Sequence, residues 1–225
     1  MMNIRSKQLI ILGAVILLIA FLFTRDIKGL VKPQEETTSA PAAGQMAPAA
    51  APAINLEEVS RTGKNIINTS LASEITTLEN KYKTSSESAK TKLAQDLAAK
   101  WDDVEQPIPS ALYLEIIASK EKSLPTWLNA GERFMKAFDL TRDSVMQPAL
   151  LQRAHAAYTS AFAIDSTNAE AKTGLGITIV NGMGMPMKGI AMLMDVVKQD
   201  PKNLKANMSL GTFAIKSGQF DKAII

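Results

Sequence analysis

The spacing of apolar residues separates a membrane-like stretch from the rest of this 225-residue chain. From Leu9 to Phe23 no side chain is polar, and Gln8 and Thr24 adjoin that stretch. A helix over it rises roughly 22 Å at 1.5 Å per residue, so spanning the roughly 30 Å hydrocarbon core also needs the adjoining residues and snorkelling of Lys7 and Arg25. The pattern predicts one transmembrane anchor at residues 8–24, after a tail at residues 1–7.

A cleaved secretory signal is the alternative interpretation, because such signals carry roughly 7 to 15 apolar residues before a small-x-small site. Thr24, Arg25 and Asp26 follow the apolar residues instead, which favours an uncleaved anchor. Basic residues are balanced on the two sides of the anchor, so the positive-inside rule does not decide its orientation. Because a short N-terminal tail is easily retained, we expect a single-pass membrane protein with its body outside the cytoplasm.

Residues 25–55 are rich in Pro, Ala, Thr, Ser and Gln and contain few large apolar groups that could build a core. A regular helix is blocked by the four prolines Pro33, Pro41, Pro48 and Pro52. This composition predicts a disordered, flexible linker with an r.m.s. reach on the order of 30 Å. The linker would allow the folded part to work clear of the lipid headgroups.

Residues 56–122 show the three- and four-residue spacing of amphipathic helices. One apolar face runs from Leu56 to Tyr82, and a second, from Ala89 to Trp101, follows a possible capping box at residues 84–87. Pro107 and Pro109 are expected to end that second helix, and residues 111–120 form a third. The pattern predicts a small helical unit packed in front of the residues that follow.

A fixed period of 35 residues appears in the last third of the chain. The segment from Asp165 to Ala171 matches the segment from Asp200 to Ala206, and Leu175-Gly176 matches Leu210-Gly211 at the same spacing. A period of this length is typical of stacked helix pairs, in which no pair buries its apolar face alone. Asp and Asn suit the turn between pairs, and glycine allows a neighbouring helix to approach closely.

In these residues the chain resembles the tetratricopeptide repeat (TPR) family. Over residues 123–225 the family positions are occupied, in chain order, by Trp127, Gly131, Phe134, Ala154, Tyr158 and Ala161, by Leu175, Gly176, Gly189, Leu193, Val196 and Pro201, and by Leu210, Gly211, Gly218, Phe220 and Ala223. The resemblance implies an all-α fold of helical-hairpin repeats, a TPR-like solenoid. In this fold class the small helical unit, the linker and the single transmembrane helix precede the repeats.

All three units depart from the family pattern, the middle one by a single extra residue in its inner turn at residues 181–186. Gly131 and Ala154 are 23 residues apart, whereas Gly211 and Ala223 are 12 apart, so the first unit carries roughly eleven extra residues around residues 139–147. The last unit stops about one turn into its second helix. We therefore expect the sequence to be a fragment of a chain with more repeats.

Composition narrows the chemistry that the chain can perform. The 25 basic and 22 acidic residues are evenly mixed, which gives no concentrated basic face for nucleic acid, and the absence of cysteine excludes thiol chemistry. The sole histidine, His155, has no nucleophile or ligand partner in the sequence, so a packing or surface role is expected. The methionines between Met183 and Met194 could bind soft copper, but filling helix contacts is the commoner role. No catalytic, cofactor or metal site is predicted.

The resemblance implies that the first helix of each pair lines a concave groove that binds a peptide. By position, the groove residues would be Leu128, Glu132, Met135 and Lys136, then Thr173, Ile177, Val180 and Asn181, and then Met208, Thr212, Ile215 and Lys216. Some of them could instead pack between helices. A protein or peptide partner of mixed apolar and polar character fits this set.

Two functions are compatible with the anchor and the repeats. The first is a membrane-tethered protein–protein interaction scaffold or adaptor without enzymatic activity. The alternative is a chaperone-like accessory module that holds client proteins during assembly or transport in the cell envelope. An enzymatic or metal-binding function is disfavoured, because the ligands and catalytic groups that it requires are missing from the sequence.

Overall fold

The computed structural model describes residues 53–219, so the tail, the anchor, linker residues 25–52 and residues 220–225 lie outside the described range. The described residues form nine helices and no strand, which confirms the all-α prediction for this part of the chain. The helices are α1 (Leu56–Lys64), α2 (Thr69–Thr84), α3 (Glu87–Asp103), α4 (Pro107–Glu121), α5 (Leu124–Leu140), α6 (Met146–Ile164), α7 (Ala169–Gly182), α8 (Pro186–Gln199) and α9 (Leu204–Lys216). None of these nine is both long and apolar enough to cross a membrane.

The apolar face predicted from Leu56 to Tyr82 belongs to two helices rather than one. The break at residues 65–68 follows from asparagine chemistry, because the side chain of Asn68 accepts a hydrogen bond of 2.7 Å from the backbone N–H of Ser70 and caps α2. Asn65 ends α1. Short polar side chains of this kind compete with the helical hydrogen bonds of the backbone, and hydrophobic periodicity does not report that competition.

The prolines after α3 begin a helix instead of only ending one. Pro107 is the first residue of α4, where its missing N–H and fixed φ are compatible with helix. The predicted capping box at residues 84–87 does not form, since Ser86 flanks α3 without a side-chain capping bond. Its hydroxyl lies 3.0 Å from that of Ser88.

The helices pack in chain order as antiparallel neighbours from α2 to α9. Helix α4 also contacts α1, and the first helices of successive hairpins contact each other, α5 with α7 and α7 with α9. The region 56–122 therefore joins the hairpin array directly through α4 and α5. The described residues form one continuous stack of helices.

The 35-residue period appears in the structure as a repeated turn. Asn168 caps α7 by accepting 2.9 Å from the N–H of Ala171, and Asn203 caps α9 by accepting 3.0 Å from the N–H of Ala206. Asp165 and Asp200 each accept from the N–H two residues later, at 2.9 and 3.1 Å. The same period relates α6 to α8, so that Ala154 corresponds to Gly189.

The extra residues of the first unit lengthen its helices rather than forming a large loop. Helices α5 and α6 have 17 and 19 residues, whereas α7 and α8 have 14 each, and only residues 141–145 separate the first pair. The expected interruption around residues 139–147 is thus mostly helix. The added turns bury Ala149 and Leu150 in one core cluster with Ile54 and Val59.

That cluster places Ile54, assigned to the linker from sequence, inside the folded part. Ile54 is 7% exposed, and its carbonyl accepts a 3.5 Å hydrogen bond from Arg153 of α6. Arg153 also pairs with Glu115 of α4. The hairpin α5–α6, here called the long hairpin, therefore contacts the N-terminal residues of the described range as well as α4.

Helices α7 and α8 approach each other at a pair of glycines. A Cβ atom on Gly189 would lie 2.5 Å from the carbonyl oxygen of Gly176, and one on Gly176 would lie 3.0 Å from the carbonyl oxygen of Gly189. Because both carbonyl oxygens belong to helix backbones, neither can shift to make room for a side chain without distorting its helix. The glycines fix the separation of this hairpin, and Leu193 packs beside them.

Candidate peptide-binding groove

The first helices of the hairpins, α5, α7 and α9, enclose an open groove of about 350 Å³, here called the first-helix groove. Its lining residues are Met135, Phe138, Asp139, Tyr158, Gly174, Ile177, Asn181, Lys205, Met208, Ser209, Thr212, Phe213 and Lys216. Apolar side chains from all three helices form part of the surface, and hydroxyl, amide and charged groups form the rest. Such a mixture is suited to a peptide with alternating apolar and polar side chains.

Tyr158 of α6 forms the base of the first-helix groove. Its ring is fully buried and lies between two glycines, because a Cβ atom on Gly131 would be 3.0 Å from the ring and one on Gly174 would clash with it more severely. Burial raises the pKa of the Tyr158 hydroxyl, and the nearby carboxylates of Glu132 and Glu170 raise that pKa further. The hydroxyl stays protonated at neutral pH.

Asp139 and Lys216 lie together in the last turns of α5 and α9, whereas Lys205 lies in the first turn of α9. Desolvation raises the pKa of the Asp139 carboxyl, and the opposing positive charge of Lys216 lowers it in part. The lining contains two lysines, Lys205 and Lys216, and one aspartate, Asp139. The groove therefore carries a small excess of positive charge on an otherwise apolar and hydroxyl-rich surface.

The structure brings half of the predicted groove residues together. Met135, Ile177, Asn181, Met208, Thr212 and Lys216 line the first-helix groove. Glu132, Lys136 and Ile215 are exposed but do not line it. Met208 is 62% exposed, which makes it the most accessible large apolar side chain of the groove.

Three of the predicted residues pack between helices instead of lining the groove. Leu128 and Thr173 are buried at 9% and 1% exposure, because the faces of α5 and α7 that carry them are turned towards the neighbouring helices. Val180 packs against Gly189 where α7 and α8 approach closely, since a Cβ atom added to Gly189 would lie 2.6 Å from Val180 Cγ2. Helical spacing alone does not fix the rotation of a helix about its axis within a stack.

Phe138, Asp139, Lys205, Ser209 and Phe213 line the groove without having been predicted. Phe138 and Asp139 belong to the lengthened end of α5, which the sequence indicated only as extra residues. The other three lie one turn from predicted positions on α9. A four-residue step from Lys205 through Ser209 to Phe213 was the available signal.

A larger groove of about 560 Å³, here called the second-helix groove, is formed by α6, α7 and α8. It is lined by His155, Thr159, Phe162, Lys172, Leu175, Ile179, Lys188, Ala191, Met192 and Asp195. The Nδ1 atom of His155 lies 2.9 Å from the hydroxyl of the buried Thr178. Burial lowers the pKa of His155, and the charge of Lys188 lowers it further.

Within residues 53–219 no cluster of three or more His, Asp or Glu residues could hold a metal ion. The methionines considered for copper are dispersed. Met183 and Met192 pack against the core around Tyr158, whereas Met185, Met187 and Met194 are 51%, 73% and 59% exposed. Helix packing accounts for the first two.

Solved structures similar to this chain include TTC0263, a thermophilic TPR protein in Thermus thermophilus, with 14% identity, a TM-score of 0.49, and coverage of 75% of this chain and 86% of that one. The corresponding values for MamA are 18%, 0.48, 76% and 90%. For a tetratricopeptide repeat protein from Parabacteroides merdae they are 12%, 0.49, 75% and 62%. No protein-family model and no curated protein matches the chain. Similarity at this level does not extend to a shared ligand or role.

Proposed function

We propose that this chain is a membrane-tethered, non-enzymatic interaction scaffold of the TPR type, which binds a peptide segment of a protein partner in the first-helix groove. The observation that carries the proposal is the convergence of α5, α7 and α9 on one open surface, to which each helix contributes both apolar and polar side chains. An open groove that combines apolar and hydrogen-bonding side chains suits a peptide ligand.

The groove favours an extended segment that alternates apolar and polar side chains. Ile177, Met208 and Phe213 offer apolar contacts, while Asn181 and Thr212 offer hydrogen-bonding groups. Because Asp139 lies near Lys216, the excess positive charge is that of Lys205, which favours a segment with an acidic residue near the N-terminal end of α9. Unbranched methionines adapt to different side chains, so the groove suits related sequences rather than one rigid ligand.

The proposed membrane attachment is supported by the sequence of residues 1–55. A predicted anchor at residues 8–24, apolar from Leu9 to Phe23, and a Pro- and Ala-rich linker suit a protein whose interaction module works at a membrane. Carbonate extraction of membranes that contain the full chain tests this element. Release of the chain into the soluble fraction would contradict it, and a reporter fused to either end would determine the orientation.

The binding proposal is tested by affinity capture with the full chain solubilised from its native membrane. We expect Met208→Asp to reduce recovery of a specific partner at least about tenfold, because it buries a charge against apolar groups. Met194→Asp is the matched control, since Met194 is 59% exposed and lies outside both grooves. Equal recovery by the two variants would overturn the assignment of the groove.

The same capture distinguishes the scaffold from the chaperone-like alternative. A scaffold recovers one partner, or a fixed set, at constant stoichiometry. A holding module recovers many unfolded clients at variable stoichiometry, and adaptable methionines such as Met135 and Met208 would suit that role. A diverse client set lost on Met208→Asp would retain the groove but replace the scaffold with the alternative.

A further inference from the structure

The second-helix groove lies on the opposite side of α7 from the first-helix groove. Helix α7 contributes Gly174, Ile177 and Asn181 to the first groove and Lys172, Leu175 and Ile179 to the second. At about 100° per residue, the two sets point in opposite directions from the helix axis. A ligand in one groove therefore leaves the other accessible.

The polar contacts of His155 fix its tautomer. The hydroxyl of Thr178 donates its only hydrogen to the carbonyl of Leu175 at 2.8 Å, so it must accept from the Nδ1–H of His155 at 2.9 Å. In the neutral ring, Nε2 is then the unprotonated nitrogen. No described residue hydrogen-bonds to Nε2, which leaves that atom available to a ligand.

A basic residue occupies the same repeat position on α6 and on α8, and in the long hairpin that residue binds a carboxylate. Arg153 and Lys188 are 35 residues apart and occupy corresponding positions on α6 and α8. Arg153 faces the preceding second helix, α4, and pairs with its Glu115. Lys188 lines the second-helix groove together with His155 of α6, close enough for its charge to lower the pKa of that histidine, and it forms no salt bridge with any described residue.

The charges of the second-helix groove are otherwise balanced. Lys172 of α7 and Asp195 of α8 form a 2.5 Å ion pair, which lowers the pKa of the Asp195 carboxyl. Lys188 is the remaining charged side chain in the lining, and α6 contributes no ionisable group besides His155. The apolar part of the lining includes Phe162 and Met192.

We propose that the second-helix groove is a separate binding site for an acidic side chain of a partner peptide, held by Lys188 and by Nε2 of His155. The bound carboxylate takes the place that Glu115 occupies beside Arg153. An apolar side chain next to the acidic residue contacts Phe162 and Met192. The site is independent of the first-helix groove and of whatever that groove binds.

Recognition of a carboxylate by His155 requires uptake of a proton. The neutral ring offers only a lone pair at Nε2, so a hydrogen bond to a carboxylate needs Nε2–H. Desolvation and Lys188 lower the pKa of the free histidine, and a bound carboxylate raises it. Affinity therefore rises as pH falls through the interval between the free and the bound pKa of His155, as long as the peptide carboxylate stays ionised.

The experiment uses the full chain in detergent, purified without a histidine tag, because His155 is the sole histidine and gives an unambiguous imidazole NMR signal. The probe is N-acetyl-Leu-Glu-Leu-amide, and N-acetyl-Leu-Gln-Leu-amide is its uncharged match. We expect the Glu peptide to bind about tenfold more tightly and to raise the pKa of His155. Lys188→Gln should remove both effects, whereas Lys198→Gln, on the exposed side of α8, should remove neither.

Several results would overturn the proposal. They are equal affinity for the two peptides, no shift of the imidazole signal at millimolar peptide, or a shift that survives Lys188→Gln. Loss of Glu-peptide binding on Met208→Asp would assign the peptide to the first-helix groove. Binding that persists in Met208→Asp keeps this site independent of the proposed scaffold function, which can then fail or succeed separately.

Discussion

The hairpins α5–α6 and α7–α8 are each followed by a turn of the same geometry, but their helices are held together by different interior contacts. In α7–α8, Gly176 and Gly189 bring two backbones together. In α5–α6 the residue that corresponds to Gly189 is Ala154, and the space between the helices is filled by the ring of Tyr158 against Gly131. The turns that follow the two hairpins therefore repeat the same capping residues, while the separation of the helices is set by the side chains of each pair.

The short hairpin should be broken most strongly by Gly189→Ala. The added methyl would lie 2.5 Å from the carbonyl oxygen of Gly176 and 2.6 Å from Val180 Cγ2. We expect the free energy of unfolding to fall by about 3 kcal/mol, since overpacking against backbone outweighs the helix propensity of alanine. Urea denaturation of the full chain, followed by circular dichroism, measures this loss.

Gly182→Ala is the control for that substitution. Its methyl would meet only Leu151 Cδ2 closely, at 2.6 Å, which is the end of a flexible side chain. A loss below about 1 kcal/mol is expected there. Equal losses for the two variants would mean that the glycine contact does not set the separation of α7 and α8.

Tyr158→Leu introduces into the long hairpin the residue that the short one has at this position, Leu193. We expect a loss of about 2 kcal/mol, because the smaller side chain leaves a cavity between Gly131 and Gly174. Gly174→Ala alone should cost a similar amount by clashing with the ring. The double variant should lose at least about 1 kcal/mol less than the sum, and strict additivity would contradict the account.

Arg153→Gln tests the attachment that only the long hairpin makes. Glu115 would lose its positive partner, and we expect about 1 to 2 kcal/mol of destabilisation at neutral pH. Burial already raises the pKa of Glu115, with Arg153 opposing the rise, so the variant should raise that pKa further.

The pH dependence of that variant follows from the sign of the shift. A carboxyl whose pKa is higher in the folded than in the unfolded state binds more protons when folded, so stability falls as pH rises. The deficit of Arg153→Gln should therefore grow as pH rises above the usual glutamate range and fade below it. Adding Glu115→Gln should restore most of the stability, and a deficit that is independent of pH would contradict the pairing.

The smallest effects are expected where the hairpins are alike. Asn168→Ala and Asn203→Ala should each cost about 1 kcal/mol, because each removes one capping bond of nearly equal length, 2.9 and 3.0 Å. The local stability of α7 and α9, measured by hydrogen exchange, checks this equality. A difference of several-fold would mean that the repeated residues do not perform one repeated role.

The features that could be predicted from the sequence are those that depend on local chemistry, namely turns and helices. The spacing of Asp165 and Asn168, repeated at Asp200 and Asn203, predicted turns that the structure forms with the same bonds. Hydrophobic spacing likewise indicated helices over most of the described residues. It missed the break before Asn68 and the helix that begins at Pro107, since capping and proline geometry act at single positions.

The candidate groove was predicted less completely, because it depends on tertiary geometry. Met135 and Ile177 line it as expected, while Leu128 and Thr173 on the same helices are buried. Which residue faces outwards depends on the rotation of each helix, and Tyr158 and the glycines beside it determine that rotation through contacts far apart in sequence. The lengthening of α5 also carried Phe138 into the groove.

Binding of a protein partner in the first-helix groove can be tested by site-specific photocrosslinking in the native membrane. Benzoylphenylalanine is introduced in place of Met208 in the groove and, separately, in place of Met194, which has similar exposure outside both grooves. We expect one discrete crosslinked protein for the Met208 position and none for the Met194 position. Identical crosslinks from both positions, or none from Met208, would contradict it.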